Sequence, residues 1–391
     1  MSAVFTPIPG AGRLPGVKKL IGWLGVFVLC TSLRTVYADQ IDDLIAVRMQ
    51  ARHIPGLSLA IVQDGKIFRA QGYGFTDNNR QAPVTPDTLF QAGSISKAVA
   101  AFGALHLVQE GKLSLDADVN TELQSWKVPE NEFTKDNKVT LRRILSHTAG
   151  LTVHGFPGYP VSGPVPPLLQ VLDGVKPAAT AAIRVDILPG SQWRYSGGGY
   201  TVMQQMILDV TREPFPKFMK DTVLEPLGMT NSTYQQPPPS AMAAATAAGV
   251  FGDGRAVKDR WHVYPEMAAA GLWTTASDLA QFTIGVQQSF AGESNPVLSQ
   301  ELTRQMLTVQ NPALSSTDGL GVFRSGNGKG LRFWHDGRNA GFDAFMIGFP
   351  NVRRGAVIMI NANDDTGAIK DILGAIAKKY WRASARNTTA N

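Results

Sequence analysis

The sequence predicts an α+β fold in which an antiparallel sheet flanked by helices stands beside a mostly helical second lobe, and three observations carry that expectation. Short strand-like runs gather towards both ends of the chain. The turns between them are short and rich in glycine, which suits antiparallel pairing because parallel strands need crossovers of a dozen or more residues. The long middle is helical in pattern and broken by proline and glycine. With 391 residues, 44% of them hydrophobic and 17% charged, the chain is long and apolar enough to bury a sizeable core.

The elements follow in order. Lys18-Lys19, the apolar run Leu20–Leu33 and Val36-Tyr37-Ala38 read as a secretory signal peptide over 1–38, which predicts export to the periplasm or the medium. The run falls short of the ~20 residues a spanning helix needs, so no stable membrane span is expected after cleavage. Four basic residues and no acidic ones lie in this segment, so the formal +6 becomes +2 without it. Such a balanced surface argues against nucleic-acid binding. The one cysteine, Cys30, lies there too, which excludes a disulfide framework, a thiol nucleophile and cysteine metal sites from the mature chain. Ile41–Arg52 has helical spacing, and Leu57–Val62 and Lys66–Tyr73 form a hairpin across Asp64-Gly65. Gly321–Arg324, Leu331–Trp334, Ala344–Phe349 and Ala356–Ile360 are four more strands, followed by a helix over Ala368–Tyr380. Ser325–Gly330 imitates a phosphate loop but opens no helix, so it reads as a turn. Between these ends lie helical segments at Leu141–Leu145, Thr201–Thr211, Pro216–Val223 and Ser277–Phe290. The expected organisation is therefore a discontinuous sheet lobe, 39–115 with 319–391, and a mostly helical lobe, 116–318, with a ligand cleft between them.

Chemistry concentrates first in Phe90-Gln91-Ala92-Gly93-Ser94-Ile95-Ser96-Lys97, which runs into a helix apolar on nearly all sides. Such a helix is buried. Ser94 and Lys97 lie one turn apart on the same face, with Gly111 available to end the helix. Taken alone, Ser-x-x-Lys is common, and its ordinary reading is a serine N-cap followed by a surface lysine. The apolar setting favours a working lysine, because an unpartnered buried ammonium is costly. The six histidines show no paired helical spacing, so no metal is expected.

Further blocks recur in a telling order. Thr88-Leu89-Phe90 precedes the serine block, and Ile144-Leu145-Ser146-His147-Thr148-Ala149-Gly150-Leu151, Trp193-Arg194-Tyr195-Ser196-Gly197-Gly198-Gly199-Tyr200, Pro226-Leu227-Gly228-Met229, Ala270–Leu279 and His335-Asp336-Gly337 follow it. Together, over about 41–380, they resemble the serine hydrolases related to class C β-lactamases and penicillin-binding proteins. That resemblance implies the β-lactamase/DD-peptidase-like form of the fold, with Ser94 as nucleophile and Lys97, Tyr195 and His335 as its catalytic companions. It also implies an oxyanion hole from the backbone N–H groups of Ser94 and Arg338, and substrate contacts from Gly337, Arg338 and Asn339. It implies no cofactor.

Bringing a free tyrosine or lysine from a pKa near 10 down to 7 costs roughly 4 kcal/mol. A Lys97/Tyr195 pair sharing one proton is expected to accept the proton of Ser94. Two departures bear on substrate. The lactamase pattern Tyr-x-Asn is here Tyr195-Ser196-Gly197, leaving Ser196 or Asn339 to replace an amide contact. His335 stands where that pattern has lysine, so carboxylate recognition is expected to need imidazolium at pH near 6, or Arg338 or Arg332. His147 is expected to organise its loop. The reading is an exported serine hydrolase forming an acyl-enzyme with a small-molecule ester, an amide or a peptidoglycan-type peptide, and cleaving aryl esters faster than cephalosporins. A class C-type β-lactamase or DD-carboxypeptidase is the alternative, and a non-catalytic peptidoglycan or partner binder the third reading. The oligomeric state is left open.

Overall fold

The computed structural model describes residues 39–365 and 367–381, so the leader expected over 1–38, with Cys30, lies outside the described residues. Helix α1 (Gln40–Ala51) starts from a reciprocal cap, in which Ile41 N–H donates to the Asp39 carboxylate at 3.1 Å and Asp39 N–H donates to Asp42 at 3.1 Å. Strands β1 (Gly56–Gln63) and β2 (Lys66–Gly74) form the expected hairpin.

The other four strands of the main sheet come from the far end of the chain: β3 (Phe323–Ser325), β4 (Arg332–Asn339), β5 (Phe342–Phe349) and β6 (Arg354–Ile360). All six make one sheet in the order β2-β1-β6-β5-β4-β3, antiparallel throughout. β1 and β6 run against each other from Leu57↔Ile360 to Val62↔Gly355, so the two ends of the chain meet at the middle of the sheet. Gly328–Gly330 is a tight turn between β3 and β4, as the phosphate-loop imitation was expected to be.

Period-two alternation sorts the sheet residues onto two buried faces. Leu57, Leu59 and Ile61 of β1 join Ile358 and Ile360 of β6 under Ile41 and Ile45 of α1 and under Ile372 and Ile376 of the C-terminal helix (Ala368–Ile376). Ala60, Val62, Val357 and Met359 point the other way, into the larger core that holds helix α2 (Ile95–Gln109). Each large aliphatic side chain so buried contributes about 1.5–3 kcal/mol, which is why β1 and β6 read as near-continuous hydrophobic runs. β4 runs five residues beyond the expected Leu331–Trp334, to Asn339. Asp336 and Arg338 interrupt the apolar pattern there, but the strand continues because it is paired with β5 up to Asn339↔Phe342.

The helical part of the chain buries one carboxyl completely. Glu266 is 0% exposed, and the Tyr159 hydroxyl donates to it across 3.5 Å. Burial pushes its pKa up to about 7, against 4.5 for the ordinary side chain. The folded state therefore holds this proton more tightly than the unfolded one, and stability falls as pH rises from about 4.5 to about 7, by about 3 kcal/mol in all. Urea denaturation at pH 5 and pH 8 is expected to show that loss in the native protein and a flatter difference in Glu266→Gln.

Candidate active site

The site is assembled where β4 passes the start of α2, and two glycines set how closely they pass. Gly93 adopts φ +53°, and a Cβ on it would lie 2.5 Å from the backbone nitrogen of Arg338. A Cβ on Gly337 would lie 1.9 Å from the Ala92 carbonyl oxygen and 3.1 Å from the Ser94 nitrogen. No side chain fits either gap, so the backbone of β4 lies directly against the chain entering α2. This is where the sequence placed its two oxyanion donors.

Ser94 precedes α2 with helical dihedrals, and its hydroxyl makes no capping bond. That hydroxyl instead accepts a hydrogen bond from Lys97 Nζ at 2.9 Å, while the same nitrogen donates to the Ala269 carbonyl at 2.7 Å. The N-cap explanation of Ser94 is therefore set aside. Lys97 is 2% exposed. Burial brings its pKa down to about 7, and Asp336 opposes that shift.

Tyr195 enters from the loop before helix α3 (Gly197–Thr211). Its ring packs near two imidazoles, with centroids 4.3 Å from His147 and 4.8 Å from His154, and its ring centroid is 5.1 Å from Lys97 Nζ. Its hydroxyl is hydrogen-bonded to Ser94, yet burial still raises its pKa well above the ordinary value. The two expected partners thus divide: Lys97 is the group that titrates near neutrality, and Tyr195 keeps its proton. His147 organises the loop as expected, its Nδ1 accepting the Ser196 N–H at 3.2 Å. Burial holds its pKa well below the ordinary value, so it is a neutral acceptor. Ser196 does not replace the missing asparagine contact, because its hydroxyl accepts from Gly199 N–H and donates to the Thr152 carbonyl, each at 2.9 Å, as the cap of α3.

The strand residues correct the sequence reading most. His335, Gly337 and Asn339 occupy the buried face of β4, and Asp336 and Arg338 the exposed one. His335 is 2% exposed, and its Nδ1–H donates to the Asp336 carbonyl at 2.5 Å. Burial brings its pKa to about 4, so no imidazolium forms near pH 6 to read a carboxylate. Arg338 does not restore that function with its side chain. Its guanidinium is clamped by Asp343 at 2.8 and 2.7 Å and by Asp365 at 2.5 Å. Arg332 is exposed at the start of β4 and does not line the cleft. Asn339 reaches the cleft wall, but both its amide protons are engaged, with Gln91 Oε1 at 2.9 Å and the Ala270 carbonyl at 3.0 Å.

The resulting cleft holds about 410 Å³. Ser94, Lys97 and Tyr195 lie in it with Asp336, Arg338, Asn339 and three aromatic side chains, Phe156, Trp193 and Phe323. Asp336 and the aromatic wall of the cleft have no functional place in the sequence reading. Strand alternation from Arg338 would have found Asp336, since residues two apart share a face. Phe156 and Trp193 come from irregular loops with no periodic signal. Among the described residues, no group of three or more His, Cys, Asp and Glu side chains is arranged to hold a metal ion, and no helix is long and apolar enough to cross a membrane.

The family model described as Beta-lactamase matches residues 41–378. Protein flp of Staphylococcus aureus (strain N315) is 28% identical over 346 residues, covering 86% of this chain and 65% of that protein, so the chain spans just under two thirds of that relative's length. Two solved structures share the fold. D-alanine carboxypeptidase AmpC from Burkholderia cenocepacia superposes with a TM-score of 0.67 at 22% identity, covering 86% of this chain and 99% of that one. The octameric penicillin-binding protein homologue from Pyrococcus abyssi gives 0.67 at 23%, covering 86% and 76%.

Proposed function

Because the chain belongs to the β-lactamase family, we propose that it is an exported serine hydrolase that cleaves esters or amides, D-amino-acid peptides among them, through an acyl-enzyme on Ser94. One observation carries the reading: a fully buried lysine amine, with a pKa near neutrality, donates a hydrogen bond to an uncapped serine hydroxyl. That arrangement has a direct use in nucleophilic catalysis.

In the proposed cycle, neutral Lys97 takes the proton of Ser94 as Oγ bonds to the substrate carbonyl carbon. The carbonyl oxygen becomes an oxyanion, held by the N–H groups of Ser94 and Arg338; one such donor is typically worth about 3 kcal/mol. As the intermediate collapses, the bond to the leaving alcohol or amine breaks. Tyr195 hands that group a proton and is reprotonated from Lys97. Water then attacks the acyl carbon and gives its proton to Lys97, and Ser94 is released with a proton relayed by Tyr195. The high pKa of Tyr195 suits a donor that is always charged with its proton. The lone Asp336 carboxylate and the engaged Arg338 guanidinium support a preference for esters over anionic lactams.

Ser94 should be covalently labelled by a fluorophosphonate, with the added mass on the peptide containing it and no labelling in Ser94→Ala. A well-folded native protein that takes no label would favour the non-catalytic binder.

A further inference from the structure

Asp336 stands out against every other acidic group near the cleft. Asp343 and Asp365 hold Arg338, whereas the Asp336 side chain is exposed and makes no hydrogen bond or ion pair among the described residues. It nonetheless lines the same cleft as Ser94, Lys97 and Tyr195, close enough to act electrostatically on both Lys97 and Tyr195. Three side chains able to carry positive charge share the cleft with it, Lys97, His154 and Arg338, and none makes a hydrogen bond or ion pair to it: Lys97 donates to Ser94 and the Ala269 carbonyl, and Arg338 is clamped by Asp343 and Asp365. Phe156, Trp193 and Phe323 line the same cleft as this negative charge, with Trp193 39% exposed. A carboxylate beside aromatic rings is the chemistry that receives an organic cation, which gains from the opposite charge and from the ring quadrupoles together.

We propose that Asp336 is a specificity-determining residue that, with Trp193, Phe156 and Phe323, makes the cleft prefer substrates carrying an ammonium group near the scissile carbonyl and disfavour those carrying a carboxylate. This rests on the serine hydrolase reading of the same cleft and adds the charge class of its substrate. The selection is a matter of substrate binding and leaves the acylation chemistry on Ser94 as described.

Two matched series test it without any change in substrate protonation. In the acyl series, p-nitrophenyl esters of 4-trimethylammoniobutyrate, of its neutral isostere 5,5-dimethylhexanoate and of glutarate are compared. In the leaving-group series, acetylthiocholine is compared with 3,3-dimethylbutyl thioacetate. The cationic member of at least one series is expected to exceed its neutral partner in kcat/KM by about tenfold, the size of one partly exposed ion pair combined with a cation–π contact. The glutarate ester should fall below the neutral ester, and 1 M salt should weaken both effects. Asp336→Asn should bring the cation-to-neutral ratio to within about twofold of one, and Asp336→Lys should reverse its order. Ratios near one in both series of the native protein, or a preference that survives in Asp336→Asn, overturn the proposal.

Titration calorimetry of phenyltrimethylammonium into Ser94→Ala, with Ser94→Ala/Asp336→Asn as comparison, separates the two readings. Asp336-dependent binding with no fluorophosphonate labelling of native protein would sink the hydrolase reading and keep the cation site. Labelling at Ser94 with no Asp336-dependent binding and no charge preference would do the reverse.

Discussion

Lys97→Arg is expected to lower kcat/KM for an aryl ester by about 10³-fold, within the range that a positioned general base supplies. The size of the loss depends on which partner of Ser94 is deprotonated at neutral pH. Burial brings Lys97 to about 7, with Asp336 pulling the other way, while burial drives Tyr195 upward. At pH 8 most of the lysine is therefore a neutral amine able to accept the serine proton, and little of the tyrosine is phenolate. Arginine keeps the donors but stays protonated, so it can orient Ser94 and cannot take its proton. The native protein should gain kcat/KM as pH rises through about 7 and level off above it. Lys97→Arg should show no such rise. An alkaline rise centred near the ordinary tyrosine value, kept in Lys97→Arg, would make Tyr195 the base.

The second large effect is expected at Gly337. Alanine there places Cβ 1.9 Å from the Ala92 carbonyl oxygen, a contact no rotamer relieves because both partners are backbone-fixed. β4 must retreat from the start of α2, and the Arg338 N–H retreats with it. Overpacking of this kind costs about 1–3 kcal/mol of stability. Removing one oxyanion donor costs about 10²- to 10³-fold in kcat. Gly337→Ala should therefore stay folded by circular dichroism, with a lowered Tm, and lose kcat far more than it raises KM. A loss of less than tenfold would show that the Arg338 amide does not hold the oxyanion.

The strands and the nucleophile's helix could be read from the sequence because burial writes them there. β1 and β6 are apolar on both faces, and α2 is apolar around its circumference from Ile95 to Leu105, which left Lys97 conspicuous. β4 was cut short because its exposed face carries charge, although its pairing with β5 continues. His335 and Arg338 could not both face the substrate from one regular strand, being three residues apart. By the same parity, Asp336 shares the face of Arg338. The clamp on Arg338 was harder to see. Asp343 is its cross-strand partner only once the register is known, and Asp365 arrives from beyond β6. Likewise, the pKa division between Lys97 and Tyr195 depends on how deeply each is covered, which residue spacing does not encode.

The meeting of β1 with β6 governs how the molecule can be made. Gly56 N–H reaches the Asn361 side-chain oxygen at 2.7 Å, across a separation of 305 residues. A nascent chain emerging amino end first has no neighbour for that hairpin until almost all of it has left the ribosome, and high contact order of this kind slows closure. Until then an apolar strand edge stays open to other chains and invites aggregation.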